Sequence, residues 1–442
     1  MSIAPRLTIR LSILALFAAM SPLGASGQRP APVGRPAGRP PAPVRPAGET
    51  IAIVGGRILP VSGPAIERGV ILIAGAKITA VGADVAVPQG ARVIDAAGKI
   101  VTPGLFESAT QLGIVEIPLS ADGTADQSTT DAGLSAAFAV VDSFNAETTL
   151  IPVTRVEGIT RALIIPSGKH VLLGQAAVVD LSGAQAPDAV TRTPAAMLAQ
   201  LGEAGAAAEG GSRASAMLRL REALQDAADF ARNRAAWNSA QRRGYARGRL
   251  DLEALAPVLR GELPLAVAAN RASDLLAALR LAEEFRLKLV LMEAAEGWKV
   301  ADRIAAQHVP VVIKPLTDIP SFDAPGATLE NAARLAKAGV TVILSSFESH
   351  NARNLRQEGG NAVANGLGRD AALRAVTLTP AEVWGVAKRC GSLDVGKDAD
   401  IVIWSGDPFE LTTGPEHVFI RGREIASDSR QRQLLERYRT IR

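Results

Sequence analysis

The sequence predicts an α/β protein in which a core of parallel strands and helices is joined to a small sheet domain drawn from both chain ends. Three observations predict it. Residues 50–103 are short β-branched runs broken by glycine turns; residues 390–425 return to that texture; and between them strand-sized apolar runs are followed by helical stretches. With 442 residues, 48% of them apolar, the chain can bury one large core and a smaller one.

The first segment, residues 1–27, places Arg6 and Arg10 before an apolar run from Leu11 to Met20 and ends on the small residues Ala25-Ser26-Gly27. This is the layout of a secretory signal, and the run is well short of the roughly 20 apolar residues that span a membrane. The expectation is therefore an exported, periplasmic and not membrane-spanning protein. Residues 28–48 hold seven prolines and no large hydrophobic side chain except valine, so they read as an extended Pro/Arg-rich linker whose arginines can touch membrane or envelope polymer. The single cysteine, Cys390, permits no intrachain disulfide even in an oxidising compartment.

Charge is uneven. The net value is +4, but residues 1–49 carry six arginines against Glu49 alone, which leaves residues 50–442 at −1. A body this close to neutral, with 4% aromatic residues, offers neither a field for a phosphate backbone nor many stacking platforms, which argues against nucleic acid as a partner.

Assigning residues 49–102 and 391–442 to the sheet domain leaves 103–390 for the centre. That is 288 residues, room for a barrel of about 250 with insertions. Within it, the apolar runs 263–269, 288–294, 310–315 and 340–346 begin 25, 22 and 30 residues apart. Each interval has space for one helix, as in 273–285 and 328–339, which is the βα rhythm of a parallel sheet. Eight such units close a barrel; a doubly wound open sheet is the other solution. Residues 213–237 place Met217, Leu220, Leu224, Ala227, Ala228 and Ala231 on one helical face for core packing, with length to spare for covering a cleft.

Three stretches, GKIVTPGLFESATQLG (98–113), LPLAVAANRASDLLAALRLAEEFRLKLVLMEAAEG (263–297) and AVTLTPAEVWGVAKRCGSLDVGKDADIVIWSGDP (375–408), resemble the amidohydrolase superfamily, in its imidazolonepropionase-like branch. The last is the most specific, because Thr-x-x-Pro-Ala followed by Gly-Ser-Leu-x-x-Gly-Lys-x-Ala-Asp is how that family leaves its barrel and re-enters its sheet domain. The resemblance covers residues 50–425. It implies a (β/α)8 TIM-type barrel with a small β-sandwich domain built from both chain ends. It also implies metal-assisted hydrolysis, often of C–N bonds, with ligands at the C-terminal ends of barrel strands.

The ligand positions that the resemblance implies are occupied otherwise here. The family's His-x-His pair falls on Ala109 and Gln111; its later histidines fall within Ala268–Arg271 and at or beside Glu293; its late aspartate falls near Ser345 and Ser346. The chain has four histidines, His170, His308, His350 and His417, none adjacent in sequence, so no His-rich zinc site is expected. His308 and His417 read as structural or solvated. The expected cleft residues are Glu107, Gln111, Lys169, His170, Asn270, Arg271, Glu293, Lys314, Glu348 and His350. Lys314 with Glu293 suits acid–base or Schiff-base chemistry, though an ion pair holding the mouth is the favoured reading of the two.

The favoured reading is a cleft that binds a small-molecule or peptide-like ligand, with no cofactor and a divalent metal only if the site is rearranged. The alternatives are a hydrolase with a rearranged or metal-free site and a non-catalytic partner of a related amidohydrolase; a homo-oligomer is compatible with each.

Overall fold

The computed structural model describes residues 49–116, 125–239, 244–426 and 430–439. The expected signal at 1–27 and the whole linker at 28–48 lie outside the described residues.

The chain begins with Thr50–Ile58 (β1), Ile66–Ala74 (β2), Lys77–Gly82 (β3), Arg92–Asp95 (β4) and Ile100–Pro103 (β5). These join the late strands Ile401–Trp404, Pro415–Ile420 and Arg423–Glu424 in one sheet. Hydrogen bonding links all of these strands into one branched sheet. The N-terminal half of β1 pairs with β4 and its C-terminal half with β5, so the sheet divides around its own core of Ile51, Ile53, Ile71, Ile73, Val101, Ile401, Ile403 and Phe419. Alternation on the late strand serves two cores, since Val402 and Trp404 point to the barrel core while Ile401 and Ile403 point to the sheet core. Gly158 (φ 88°) is required at the contact, because a Cβ there would lie 2.6 Å from the Trp404 ring.

The central sheet contains Leu105–Thr110 (β6), Ile159–Ile164 (β7), Leu172–Asp180 (β8), Val190–Gln200 (β9), Leu265–Ala269 (β10), Leu289–Glu293 (β11), Val311–Ile313 (β12) and Val342–Leu344 (β13). They lie side by side in chain order, forming a nearly closed eight-stranded barrel sheet. The expected eight βα repeats are corrected here. β7, β8 and β9 form an antiparallel meander, so β8 runs against the other seven strands. The connections are too short for anything else, because a parallel crossover needs about a dozen residues or more and residues 165–171 supply seven.

From β9 onward the βα rhythm holds, with the helix Ala272–Phe285 between β10 and β11 and Asn331–Lys337 before β13. The long helix Arg213–Asn238 buries Ala216, Leu220, Ala223, Leu224, Ala227 and Phe230. The expected face is thus rotated slightly, with Met217 and Ala228 half-buried and Ala231 exposed.

A buried ion cluster locks barrel to sheet. Arg161 on β7 reaches Asp400 (Nε to Oδ2, 2.7 Å) and Asp398 (Nη2 to Oδ2, 2.7 Å), and all three are almost fully enclosed. Among the described residues no helix is long and apolar enough to cross a membrane.

Candidate functional site

The C-terminal ends of the parallel strands converge at one mouth, the face where this class of barrel places its chemistry. The seam between the last and first strands is closed by a side chain. Glu107 on β6 is completely buried, and its carboxylate accepts hydrogen bonds from the Ser345 hydroxyl, from Ser346 N (3.1 Å to each oxygen) and from Ala109 N (3.2 Å). Thr110 Oγ1 adds a bond to the Glu348 carbonyl at 2.6 Å. Burial pushes the Glu107 carboxyl up to about 7 despite these donors.

Lys314, directly after β12, pairs with Glu348 (Nζ to Oε1, 2.7 Å). Its expected partner Glu293 is held instead by Asn270 Nδ2 at 2.7 Å. Glu293 and Ala294 both adopt left-handed backbone (φ 69° and 45°), a costly arrangement for two consecutive residues with side chains and one that concentrates at functional sites. The outer edge of Glu293 is exposed. The barrel wall strips water from the rest, which raises its pKa; Asn270 and Lys314 oppose the shift and Asp323 adds to it.

The remaining expected residues divide. Ala109 is buried in the core, and Gln111 Nε2 is bonded to Ser167 Oγ at 2.9 Å. His170 lies between β7 and β8, with its carbonyl accepting from Gln200 Nε2 (2.9 Å) and its own Nε2 buried without a partner. Arg271 is half-buried at the start of the helix Ala272–Phe285, while Lys169 and His350 are exposed. His308 sits in a left-handed turn at the opposite end of the barrel, lining a 720 Å³ cleft with Arg192, Arg286 and Lys288. His417 bonds Glu424 at 2.7 Å within the sheet domain.

Two buried acids of the mouth were not among the expected residues. Glu358, on the helix Leu355–Ala364, accepts from Leu316 N at 2.8 Å, and Asp318 accepts from Asn331 Nδ2 at 2.9 Å. Burial raises each to about 7, and repulsion from Glu107 and Asp318 adds to the shift of Glu358. No motif marks them; the signal available was position, a carboxylate within a few residues of the stretches that follow β12 and β13. Among the described residues, no group of three or more His, Cys, Asp or Glu side chains is placed to hold a metal ion.

A family model for the amidohydrolase family matches residues 291–425. The solved structure of an amidohydrolase from Thermotoga maritima MSB8 superposes with a TM-score of 0.77 at 25% identity, covering 85% of this chain and 99% of that one. The chain belongs to the amidohydrolase superfamily. Amidohydrolase tasK of Hapsidospora irregularis is 25% identical over 389 residues, which are 81% of this chain and 39% of the relative, so the chain spans well under half of that protein's length. The molinate hydrolase structure shares the fold, with a TM-score of 0.55 at 20% identity over 86% of this chain and 95% of that one. The structural likeness places its barrel among TIM-type folds.

Proposed function

We propose that this chain is an exported, periplasmic superfamily member of the imidazolonepropionase-like branch whose barrel mouth binds a small-molecule or peptide-like ligand without metal-assisted hydrolysis. In this reading residues 1–27 are the signal, 28–48 the tether, 103–390 the barrel, and 49–102 with 391–442 the sheet domain, packed as the family's β-sandwich.

The observation that supports it is the donor set. Ala109 has no donor atom, the Gln111 amide is taken by Ser167, and both Glu107 oxygens are taken by Ser345 and Ser346. Lys314 neutralises Glu348, and a half-buried ammonium beside the remaining carboxylates replaces the charge an ion would carry. These residues do not fit a divalent ion. They fit a ligand held by hydrogen bonds and charge, with Lys314, Arg271, Glu293 and Asn270 as its contacts, Glu107, Gln111 and Glu348 supporting the wall, and Lys169, His170 and His350 at the rim. One observation favours a second reading, metal-free C–N hydrolysis: Glu293, its pKa raised by burial and its backbone left-handed, stands at the end of β11 as a general acid or base.

Metal content by mass spectrometry, on mature protein purified from its host without chelators, tests the proposal. The expected result is no stoichiometric transition metal and no calorimetric response to added zinc. About one or two bound ions per chain would overturn it.

A further inference from the structure

The C-terminal helix Arg430–Tyr438 lies outside all three hydrophobic cores. Residues 431–439 are exposed throughout, including Leu434 (38%), Leu435 (61%) and Tyr438 (66%). At about 100° per residue these three form one stripe about 100° wide. Arg437 flanks it on one side, Arg439 and Arg432 flank it on the other, and Glu436 faces away, bridged to Arg439 at 3.8 Å. A nine-residue helix has little stability of its own in water, so the apolar stripe requires a surface to lie on.

Charge identifies that surface. Residues 430–442 carry five arginines against Glu436, and the linker 28–48 carries four more, whereas residues 50–429 sum to −5. The positive charge of this protein is concentrated at its two ends. Arginines on both flanks of a narrow apolar stripe suit a planar anionic surface, because long guanidinium side chains on either side rise to the same headgroup level while the stripe enters the acyl boundary.

We propose that the C-terminal helix docks on an anionic lipid surface, lying in the interface with Leu434, Leu435 and Tyr438 inserted and Arg432, Arg437 and Arg439 at the headgroups. The chain is then a peripheral membrane protein, held by the helix and reinforced by the arginine-rich N-terminal segment. This proposal is independent of the ligand proposed for the barrel mouth.

The test is co-sedimentation of the full mature chain with phosphatidylglycerol-containing vesicles and with pure phosphatidylcholine vesicles. The expected result is binding to the anionic vesicles at least about tenfold stronger than to neutral ones, falling with salt. The double variant Leu434→Glu, Leu435→Glu is expected to lose at least about tenfold in affinity for anionic vesicles with its thermal midpoint unchanged, since neither residue touches a core. Arg437→Gln with Arg439→Gln is expected to weaken binding and flatten its salt dependence. Failure to bind anionic vesicles, or equal binding by wild type and the leucine variant, overturns the proposal. Light scattering that shows a wild-type dimer dissociated by the leucine variant also overturns it and assigns the stripe to a second copy of the chain.

Discussion

Replacing Glu107 by Gln should leave stability unchanged in acid and raise it above neutrality. The folded carboxyl titrates near 7 and its unfolded reference is 4.5, a difference of roughly 2.5 units, or about 3 kcal/mol. Below 4.5 both states are protonated and the difference is absent. As pH rises from 4.5 through 7 the folded state retains a proton the unfolded state has released, so stability declines; above 7 the full penalty of ionising a completely buried group is present. An amide with its oxygen in the place of Oε1 keeps the acceptor for the Ser345 hydroxyl, Ser346 N and Ala109 N, gives up only the second contact of Ser346 N, and removes the charge. At about 2.1 cal/mol/K per residue over a folded body near 390 residues, 3 kcal/mol corresponds to a rise in midpoint of about 4 °C. Differential scanning calorimetry at pH 4 and pH 8 reads this directly: the variant should melt with wild type at pH 4 and later at pH 8. Equal destabilisation at both values would show that Glu107 acts through its geometry alone and that its ionisation is not linked to folding.

Arg161→Met should cost about 3–5 kcal/mol, read as a lowered urea midpoint, because it leaves Asp398 and Asp400 enclosed without their shared cation. Cys390 should resist iodoacetamide in the native protein and react only on unfolding, since it is buried and its thiol is pushed up to about 12; mass spectrometry of labelled native and denatured samples checks this.

The part of the fold from β10 to β13 was legible because its strands are separated by intervals that fit one helix, and the helix Ala272–Phe285 falls within one residue of its expected start. The meander of β7, β8 and β9 was missed for a physical reason: their inner halves are buried on both faces, so hydrophobic alternation carries no direction. Loop length carried it, and the seven residues between β7 and β8 were the readable sign. Of the site, the strand-end positions of Asn270, Glu293, Lys314 and Glu348 follow from the strand pattern alone. Their pairing does not, because which carboxylate meets Lys314 depends on how the segment after β13 folds back across the seam. Arg161 was a further visible anomaly, an arginine within the apolar run ITRALII, and the two aspartates of GKDAD were its partners.

An ion shared between strand ends both enables chemistry and cross-links the barrel mouth. Polar side chains that each reach more than one loop also cross-link the mouth of this chain. Glu296 accepts from Ala272 N (3.0 Å) and Gly326 N (2.8 Å); Asn331 bonds Asp318, Ala294 O and Trp298 N; Arg213 joins Glu203, Asp274 and Asp323. A mouth held in this way is organised before any ligand arrives, and its bonds differ in what displacing them costs. A ligand carboxylate that takes Lys314 from Glu348 releases a side chain already 38% exposed, which water can solvate at once. One that takes Ser346 from Glu107 strands an acid with no access to water. On the proposed reading, recognition therefore runs through Lys314, and the seam around Glu107 stays intact when the ligand binds.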